Sequence, residues 1–299
     1  MEFMEDGTHS HHNLNRWALI FSVGVSILLV LVKAFGWVQT DSLSLLSSLL
    51  DSSLDVIISL LNMLAVMYAA KPADDDHRFG HNAIEDIVGL IQATFIGASG
   101  LFLLYEAAFR FNNPHAITDS VLGIKVIFLS LLGTLAIIIF QTHIARKTNS
   151  LVLKADLLHY STDFLVNSAI IFSLYVSGSS KYSFVDPLVA SLIAIYILRA
   201  SLKIGIRAFD HLMDKELPDD KLAEIKKLIK AEKGILDYHL LKTRRSGSRK
   251  FIQLHIEVDE KLNLRKAHDI ADSLEKKLEA LGKEVEAIIH IDPVKQRSN

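Results

Sequence analysis

Long apolar segments dominate the first two thirds of this chain. Four of them contain no Asp, Glu, Lys or Arg: residues 17–32, 87–105, 126–143 and 164–180. A membrane-spanning helix needs about 20 mostly apolar residues, because each residue rises about 1.5 Å through a hydrocarbon core about 30 Å thick. With their neighbouring residues, all four segments reach this length. We therefore expect an α-helical membrane protein.

Two further apolar segments carry acidic residues. Asp51 and Asp55 interrupt residues 42–70, and Asp186 lies in residues 182–198, whose end is crowded with basic side chains. Counting both gives six transmembrane helices, of which the last is the least apolar. The expected domains are a flexible, histidine-containing N-terminal tail at 1–15, a six-helix transmembrane domain at 16–211 and a cytoplasmic domain at 212–299.

Basic residues in the short loops predict the orientation. Residues 39–41 and 112–119 contain no Lys or Arg, and residues 177–183 contain only Lys181. The loops on the other side carry Arg16, Lys71, Arg78, Arg146, Lys147 and Lys154. Loops rich in Lys and Arg stay on the cytoplasmic side. We therefore expect a multi-pass protein with both termini in the cytoplasm, which agrees with an even number of spans.

Composition argues against several classes of protein. No cysteine occurs among the 299 residues, which rules out a disulfide framework and a cysteine-based zinc finger. The formal net charge of −2 gives no reason to expect nucleic acid as a partner. Of the 32 Lys and Arg residues, 13 lie in residues 1–211 and 19 in residues 212–299. A soluble part of small-domain size therefore follows the membrane part.

This soluble part has the pattern of an α+β domain. Apolar residues recur at helical spacing after Pro218 and again over residues 264–281. Residues 235–245, 250–258 and 285–291 have the composition of strands, and Ser246-Gly247-Ser248 predicts a hairpin between the first two. The order is α-β-β-α-β, a small sheet with helices on one face.

Four polar side chains within the apolar segments carry the main functional signal. Asp51 and Asp55 lie four residues apart in the second span, and His159 and Asp163 repeat this spacing in the fifth. Residues four apart share one face of a helix. Two facing helices could therefore offer three oxygens and one nitrogen to a divalent cation. The alternative is a set of buried acids that are protonated or paired with a basic residue, but no Lys or Arg lies in the second span.

His159 bears on which cation binds. An imidazole favours Zn²⁺ and similar ions, whereas an all-oxygen site suits Mg²⁺ or Mn²⁺. For such a site we expect Zn²⁺, with Fe²⁺, Cd²⁺ and Co²⁺ also accepted, and no organic cofactor. Because metal binding needs neutral His159 and ionised carboxylates, protons and metal would compete for the same atoms.

Besides a Zn²⁺ transporter, three functions remain open for a membrane protein with such a site. One is a Mn²⁺ or Mg²⁺ transporter of the same fold, which His159 disfavours. Another is a metal-dependent intramembrane enzyme, although the chain contains no His-Glu-x-x-His stretch. The third is a metal sensor or storage protein, which would leave the acids of the apolar segments unexplained.

Two clusters outside the apolar segments could also bind metal. The loop at residues 72–81 offers His77, His81 and one of three aspartates, although a solvated polar hairpin would have the same composition. In the last domain, four histidines and an aspartate converge on one sheet, unless they are scattered surface residues. Strand alternation places His255, His290 and Asp292, while His239 lies on the partner strand and His268 on the second helix. The histidines at 9, 11 and 12 fit a flexible polar tail better than a metal site.

Together these residues resemble the cation diffusion facilitator family, in particular its bacterial zinc and iron efflux transporters of the FieF/YiiP type. The matching stretches are 50–55, 72–81, 154–163, 251–255 and 288–293, within a resemblance that extends over about residues 17–293. The resemblance implies a homodimer in the bacterial inner membrane with six spans per protomer and a metallochaperone-like cytoplasmic domain. It also implies export of a divalent cation coupled to proton entry, by a secondary transporter rather than an enzyme. Zn²⁺ would then be both the transported ion and a structural ion.

The resemblance also implies three sets of metal ligands. A transport site would consist of Asp51, Asp55, His159 and Asp163, and a loop site of Asp74, His77 and His81. A binuclear site in the cytoplasmic domain, which helps to hold the dimer, would consist of His239, His255, His268, His290 and Asp292.

Two positions depart from the family's pattern. Ala83 stands where FieF/YiiP-type proteins have a Lys that contacts an Asp matching Asp214 near the dimer interface. Ile291 stands where Gln is common. The first change puts that interface contact in doubt. The second matters only if the side chain at this position binds an ion.

Overall fold

The structure is a computed structural model, and it describes residues 5–40, 43–112, 121–176, 185–282 and 284–294. Two compact units are present, one formed by residues 12–209 and another that includes residues 210–299. The first contains six long helices: α1 (Glu5–Thr40), α2 (Leu43–Ala69), α3 (Ala83–Asn112), α4 (Val121–Thr148), α5 (Leu151–Val176) and α6 (Val185–Leu212). The second contains α7 (Asp219–Ala231), β1 (Asp237–Ser246), β2 (Arg249–Asp259), α8 (Leu264–Glu279) and β3 (Val285–Val294).

Five of the long helices are apolar enough over the described residues to cross a membrane. These spans are Asn13–Gln39, Leu49–Ala69, Ala83–Phe109, Phe128–Thr148 and Pro187–Leu212. Their outer faces carry large apolar side chains, such as Phe102, Ile139 and Leu192, that are more than 60% exposed. Such surfaces suit a lipid environment rather than water. The α-helical membrane protein with a C-terminal α+β domain is therefore confirmed.

Both α5 and α6 carry charged residues within their length. The described part of α5 carries Lys154, Asp156 and Asp163. In contrast, α6 continues through Arg199, Lys203 and Arg207 to Leu212. These three basic residues lie four apart, so they form one stripe and leave the other faces of α6 apolar.

The first helix, α1, begins at Glu5, so residues 5–15, which were predicted to be a flexible tail, are helical. This stretch contains no proline that would break the helix. The side chains of the N-terminal histidines, and the loops at 113–120 and 177–184 that entered the orientation argument, lie outside the described residues.

A close approach between α3 and α6 depends on a glycine. A Cβ atom at Gly100 would lie 3.0 Å from Cγ2 of Ile197 and 3.2 Å from Cγ of Leu198. Ile197 is 1% exposed, so this side chain has little room to move. The pair of helices therefore leaves no space for a side chain at this position.

We expect Gly100→Leu to destabilise the membrane unit by about 1–3 kcal/mol, because overpacking forces neighbouring side chains out of their rotamers. The measurement is the thermal unfolding midpoint in detergent. Gly24→Leu is the matched control, since nothing lies within 4 Å of a Cβ at Gly24. Equal midpoints for the two variants would contradict the packing of α3 on α6.

The cytoplasmic domain is built on a three-stranded sheet in the order β1-β2-β3, with β1 antiparallel and β3 parallel to β2. Alternate residues of β2, including Leu254 and Ile256, pack with Leu274 and Leu278 of α8 in the core. The hairpin turn places Gly247 at φ 55°, a backbone conformation that glycine adopts at no steric cost. The observed order α-β-β-α-β matches the prediction, and the residues between the core positions of β2 lie on the opposite face of the sheet.

Candidate metal sites

Helices α2 and α5 pack against each other and bring polar side chains together within the membrane unit. The Nε2 atom of His159 lies 3.0 Å from Oδ1 of Asp55 and 3.6 Å from Oδ2 of Asp163. One candidate ligand atom from each of the three residues lies within 4.8 Å of the other two. The Oδ2 atom of Asp163 is buried and accepts no hydrogen bond within the described residues. One nitrogen and two carboxylate oxygens thus converge where a cation could bind them.

Asp51, the fourth residue of this predicted site, lies one turn before Asp55 on α2. It lines the same cavity as Asp55, His159 and Asp163 but is not part of their compact group. The structure therefore assembles three of the four residues and places the fourth beside them. Their assignment as metal ligands remains a prediction.

Lys33 of α1 is a charged neighbour of this site that the sequence analysis did not include. It is 8% exposed, and its Nζ donates to Oγ of Ser52 at 2.6 Å. It also interacts electrostatically with Asp55, Asp163 and Asp51. No Lys or Arg lies within the second span itself, and this basic neighbour comes instead from the first span. Lys33 therefore offsets part of the negative charge of the carboxylates.

A layer of buried polar side chains supports α5 close to His159. Asp156 is fully buried and accepts hydrogen bonds from Nδ2 of Asn62 at 2.8 Å and Nε2 of Gln141 at 2.5 Å. Gln141 also donates to Oγ of Ser22 at 2.6 Å. These bonds join α1, α2, α4 and α5, so they fix the position of α5 against its neighbours. The only sequence signal was an aspartate three residues before His159.

A cavity of about 860 Å³ connects this site with the end of the membrane unit at which α2 ends and α3 begins. Its lining includes Asp55 and His159 at one end and Tyr68 and Ile84 at the other. The ring of Tyr68 contacts His81 edge-on, with 4.8 Å between the centroids. The cavity therefore leads from the Asp55–His159–Asp163 group towards the loop between α2 and α3.

That loop brings the three residues of the predicted loop site together. Asp74 places Oδ1 3.2 Å from Nδ1 of His77 and Oδ2 3.3 Å from Nε2 of His81. His81 is buried, and its Nδ1 has no hydrogen-bond partner in the part of the chain that the structure describes. The backbone N–H of His77 donates to Asp74 and lowers the pKa of that carboxyl below its usual range. Asp74 therefore stays ionised, as a metal ligand must.

The third candidate site follows from strand register. His239, His255 and His290 occupy directly paired positions on β1, β2 and β3. Oδ2 of Asp292 lies 2.9 Å from Nδ1 of His255 and 3.4 Å from Nε2 of His239, and its Oδ1 lies 3.3 Å from Nε2 of His290. The hydrogen bond from His255 holds the pKa of Asp292 below its usual range. Three histidines thus surround one ionised carboxylate.

Two residues around this cluster do not have the roles that were predicted from the sequence. His268 is exposed on α8 and is not part of the cluster within the described residues. Glu257, which was not a candidate, places Oε1 3.5 Å from Nδ1 of His239. The signal for Glu257 was available, because strand alternation puts it on the same face as His255.

Two domain models for protein families match this chain. The cation efflux transmembrane domain matches residues 19–213, and the cytoplasmic domain of cation efflux proteins matches residues 217–294. The chain belongs to the cation efflux family. Its resemblance to the cation diffusion facilitators is thereby confirmed, and the protein is a multi-pass membrane transporter for metal cations.

Two relatives that are similar over most of the chain agree with this assignment. The cation-efflux pump FieF of Pectobacterium atrosepticum is 39% identical over 277 residues, which cover 93% of this chain and 92% of that protein. FieF of Yersinia pestis strain Pestoides F is 38% identical over 283 residues and 93% of each chain.

Two solved domains match shorter stretches. The metal-bound C-terminal domain of the CzcD transporter from Thermotoga maritima is 24% identical, covers 26% of this chain and 93% of its own, and has a TM-score of 0.25. The cytosolic domain of a cation diffusion facilitator family protein is 26% identical, covers 25% and 90%, and has a TM-score of 0.24.

The structure shows the surroundings of Asp214 and Ile291, the residues that are affected by the two departures from the family's pattern. Asp214 pairs with Arg244, whose Nη1 lies 3.0 Å from Oδ1 of Asp214. Its carboxylate therefore has a partner within the cytoplasmic domain even though position 83 is Ala. Ile291 packs against the core of this domain. Its side chain thus contributes to packing.

Proposed function

We propose that the protein exports Zn²⁺ from the cytoplasm in exchange for protons, as a homodimer in the bacterial inner membrane with both termini cytoplasmic. The observation that supports this most is the convergence of Asp55, His159 and Asp163 between two apolar helices. One imidazole and two carboxylates suit Zn²⁺, and they also accept Fe²⁺, Co²⁺ and Cd²⁺. Asp51, one turn away on α2, is the proposed fourth ligand.

The geometry of His159 supports competition between protons and metal. Its Nε2 lies 3.0 Å from Oδ1 of Asp55, and opposite an ionised carboxylate, which can only accept, this nitrogen must carry a proton to make the hydrogen bond. The same nitrogen is the candidate ligand atom, and a metal ion needs it deprotonated. A proton arriving from the outer side would therefore favour release of the ion. Binding of the next ion on the cytoplasmic side would expel the proton, as alternating access requires.

The other two sites have proposed roles on the cytoplasmic side. The group of Asp74, His77 and His81 lies at the loop end of the cavity and would capture ions before they enter. The cluster around Asp292 would bind metal in the cytoplasmic domain and strengthen the dimer. The match of this domain to the family's cytoplasmic domain supports the second role, and chemical cross-linking with and without Zn²⁺ tests it.

The deciding experiment is metal flux into proteoliposomes that hold the protein with its cytoplasmic side outward. We expect an acidic lumen to accelerate Zn²⁺ uptake, and uptake to make the lumen more alkaline. A rate of Zn²⁺ uptake that does not depend on the pH gradient would contradict proton exchange. Uptake of Mn²⁺ or Mg²⁺ without uptake of Zn²⁺ would favour the alternative transporter, and stoichiometric binding without flux would favour a sensor or storage protein.

In the cytoplasmic domain, we expect His255→Ala to weaken Zn²⁺ binding while sparing part of the transport. His255 hydrogen-bonds to Asp292 and lies between the other two histidines, so its loss should lower affinity at this cluster by at least about tenfold. Titration calorimetry on the full-length protein measures the binding. His143→Ala, which removes an exposed histidine of α4, is the control. Unchanged affinity in His255→Ala would rule out a metal site on this sheet.

A further inference from the structure

Between the loop site and the transport site, the cavity is lined by a buried polar side chain that belongs to none of the three candidate metal sites. Gln92 of α3 lines the cavity and is only 7% exposed. Neither its Nε2 nor its Oε1 has a hydrogen-bond partner among the described residues. A buried amide without partners costs free energy. Its position therefore suggests that a polar species occupies the cavity during the transport cycle.

A second amide lines the same cavity with its carbonyl oxygen unpartnered. The Nδ2 atom of Asn62 donates to Asp156 at 2.8 Å, which fixes the orientation of the amide group. The Oδ1 atom of Asn62 is buried and has no hydrogen-bond partner in the described ranges. Because Asp156 holds the nitrogen, the oxygen is the end of Asn62 that remains available to a ligand.

These amides lie at intermediate depth along the cavity. Asn62 follows Asp55 by seven residues on α2, a rise of about 10 Å towards the loop. Gln92 is nine residues from the start of α3 at Ala83, a rise of about 14 Å from the same loop. An ion that moves from the loop site to His159 through this cavity must therefore pass both side chains.

We propose that Gln92 and Asn62 form a transit site for a hydrated divalent cation on its way to the transport site. Water molecules bound to a dication are good hydrogen-bond donors, and the two carbonyl oxygens are matching acceptors. Neither amide carries a charge, so the ion is held weakly and can move on to the carboxylates around His159. A carboxylate at this depth would instead retain the ion.

The inference rests on the proposed transport function, so Zn²⁺ flux is measured in proteoliposomes together with equilibrium Zn²⁺ binding. Gln92→Leu removes both polar atoms and should raise the KM for Zn²⁺ flux about fivefold, the effect of one lost hydrogen bond. Binding at the transport site should not change. Gln92→Glu should lower both KM and kcat, because the carboxylate binds the ion more tightly and releases it more slowly. Thr94→Val, on the exposed side of α3, should match the wild type in all measurements.

The outcomes separate the two proposals. Absence of Zn²⁺ flux in the wild type would overturn the transport function itself. Wild-type flux with unchanged KM in both Gln92 variants would overturn the transit site. Parallel loss of flux, binding and thermal stability in both variants would do so too, since it would show that Gln92 only maintains the fold. If Gln92→Leu alone fails to fold, Gln92→Glu still decides the question. A fall in both KM and kcat supports the transit site, whereas a fall in kcat with unchanged KM overturns it.

Discussion

Asp55→Ala should reduce Zn²⁺ flux by at least about 100-fold while leaving the protein folded. Changes to groups that merely support metal ligands cost about 10–100-fold in affinity, so removal of a ligand should cost more. Asp55 also accepts the hydrogen bond from His159, at 3.0 Å. Its loss therefore removes one carboxylate from the group and frees the imidazole that should coordinate beside it. We expect the same direction of change for Asp51→Ala, with Asp51 moving to coordinate when the ion binds.

The measurement is initial Zn²⁺ uptake into proteoliposomes that contain equal amounts of folded protein. Asp272→Ala is the matched control, because Asp272 is an aspartate of α8 whose one described ion pair is with Lys276 one turn away. Retained uptake in Asp55→Ala would refute the transport site. A variant that loses uptake and also fails to run as a monodisperse particle in detergent would be replaced by Asp55→Asn, which keeps the volume but loses the charge.

Asp156→Leu should strongly destabilise the membrane unit. The substitution removes the acceptor for hydrogen bonds from Asn62 and Gln141, both buried. Each donor left without a partner costs about 1–3 kcal/mol. The thermal unfolding midpoint in detergent should therefore fall well below that of the wild type.

Asp156→Asn is the matched control, because it removes the negative charge but keeps groups that can form hydrogen bonds. Its oxygen can accept from one neighbouring amide, and its nitrogen can donate to the other once that amide turns over. This is possible because Oδ1 of Asn62 and Oε1 of Gln141 are both unpartnered within the described residues. We therefore expect Asp156→Asn to unfold close to the wild-type temperature. Equal destabilisation by Leu and Asn would mean that the negative charge, rather than the hydrogen bonding, stabilises this layer.

Much of the architecture was predictable because it depends on local patterns. Apolar length identified the membrane helices, and the alternation of apolar residues identified the α-β-β-α-β order. A spacing of four residues placed Asp51 and Asp55 on one face of α2, and the same spacing placed His159 and Asp163 on one face of α5. The sequence predicted α6 as the least apolar span, and this helix is long and apolar enough to cross a membrane. Its stripe of basic residues lowers the apolar character of a short window, although it leaves most of the helix surface apolar.

The parts of the sites that were missed involve residues far apart in the chain. Lys33 reaches the second helix from the first, and Asp156 bonds to Asn62 across 94 residues. Glu257 approaches His239 only because β1 and β2 pair in one particular register. None of these pairs leaves a periodic signal in the sequence.

The amino-acid sequence alone determined which segments enter the membrane and which side chains share a face of each helix or strand, since periodicity depends only on the geometry of one element. The tertiary structure decided which faces meet. The rotation and depth of α2 and α5, set by their packing against each other and against α3 and α4, determine that Asp163 joins Asp55 and His159 in one compact group while Asp51 stays beside it. The rotation and depth of a helix depend on several packed helices together, so no single segment of the sequence encodes them.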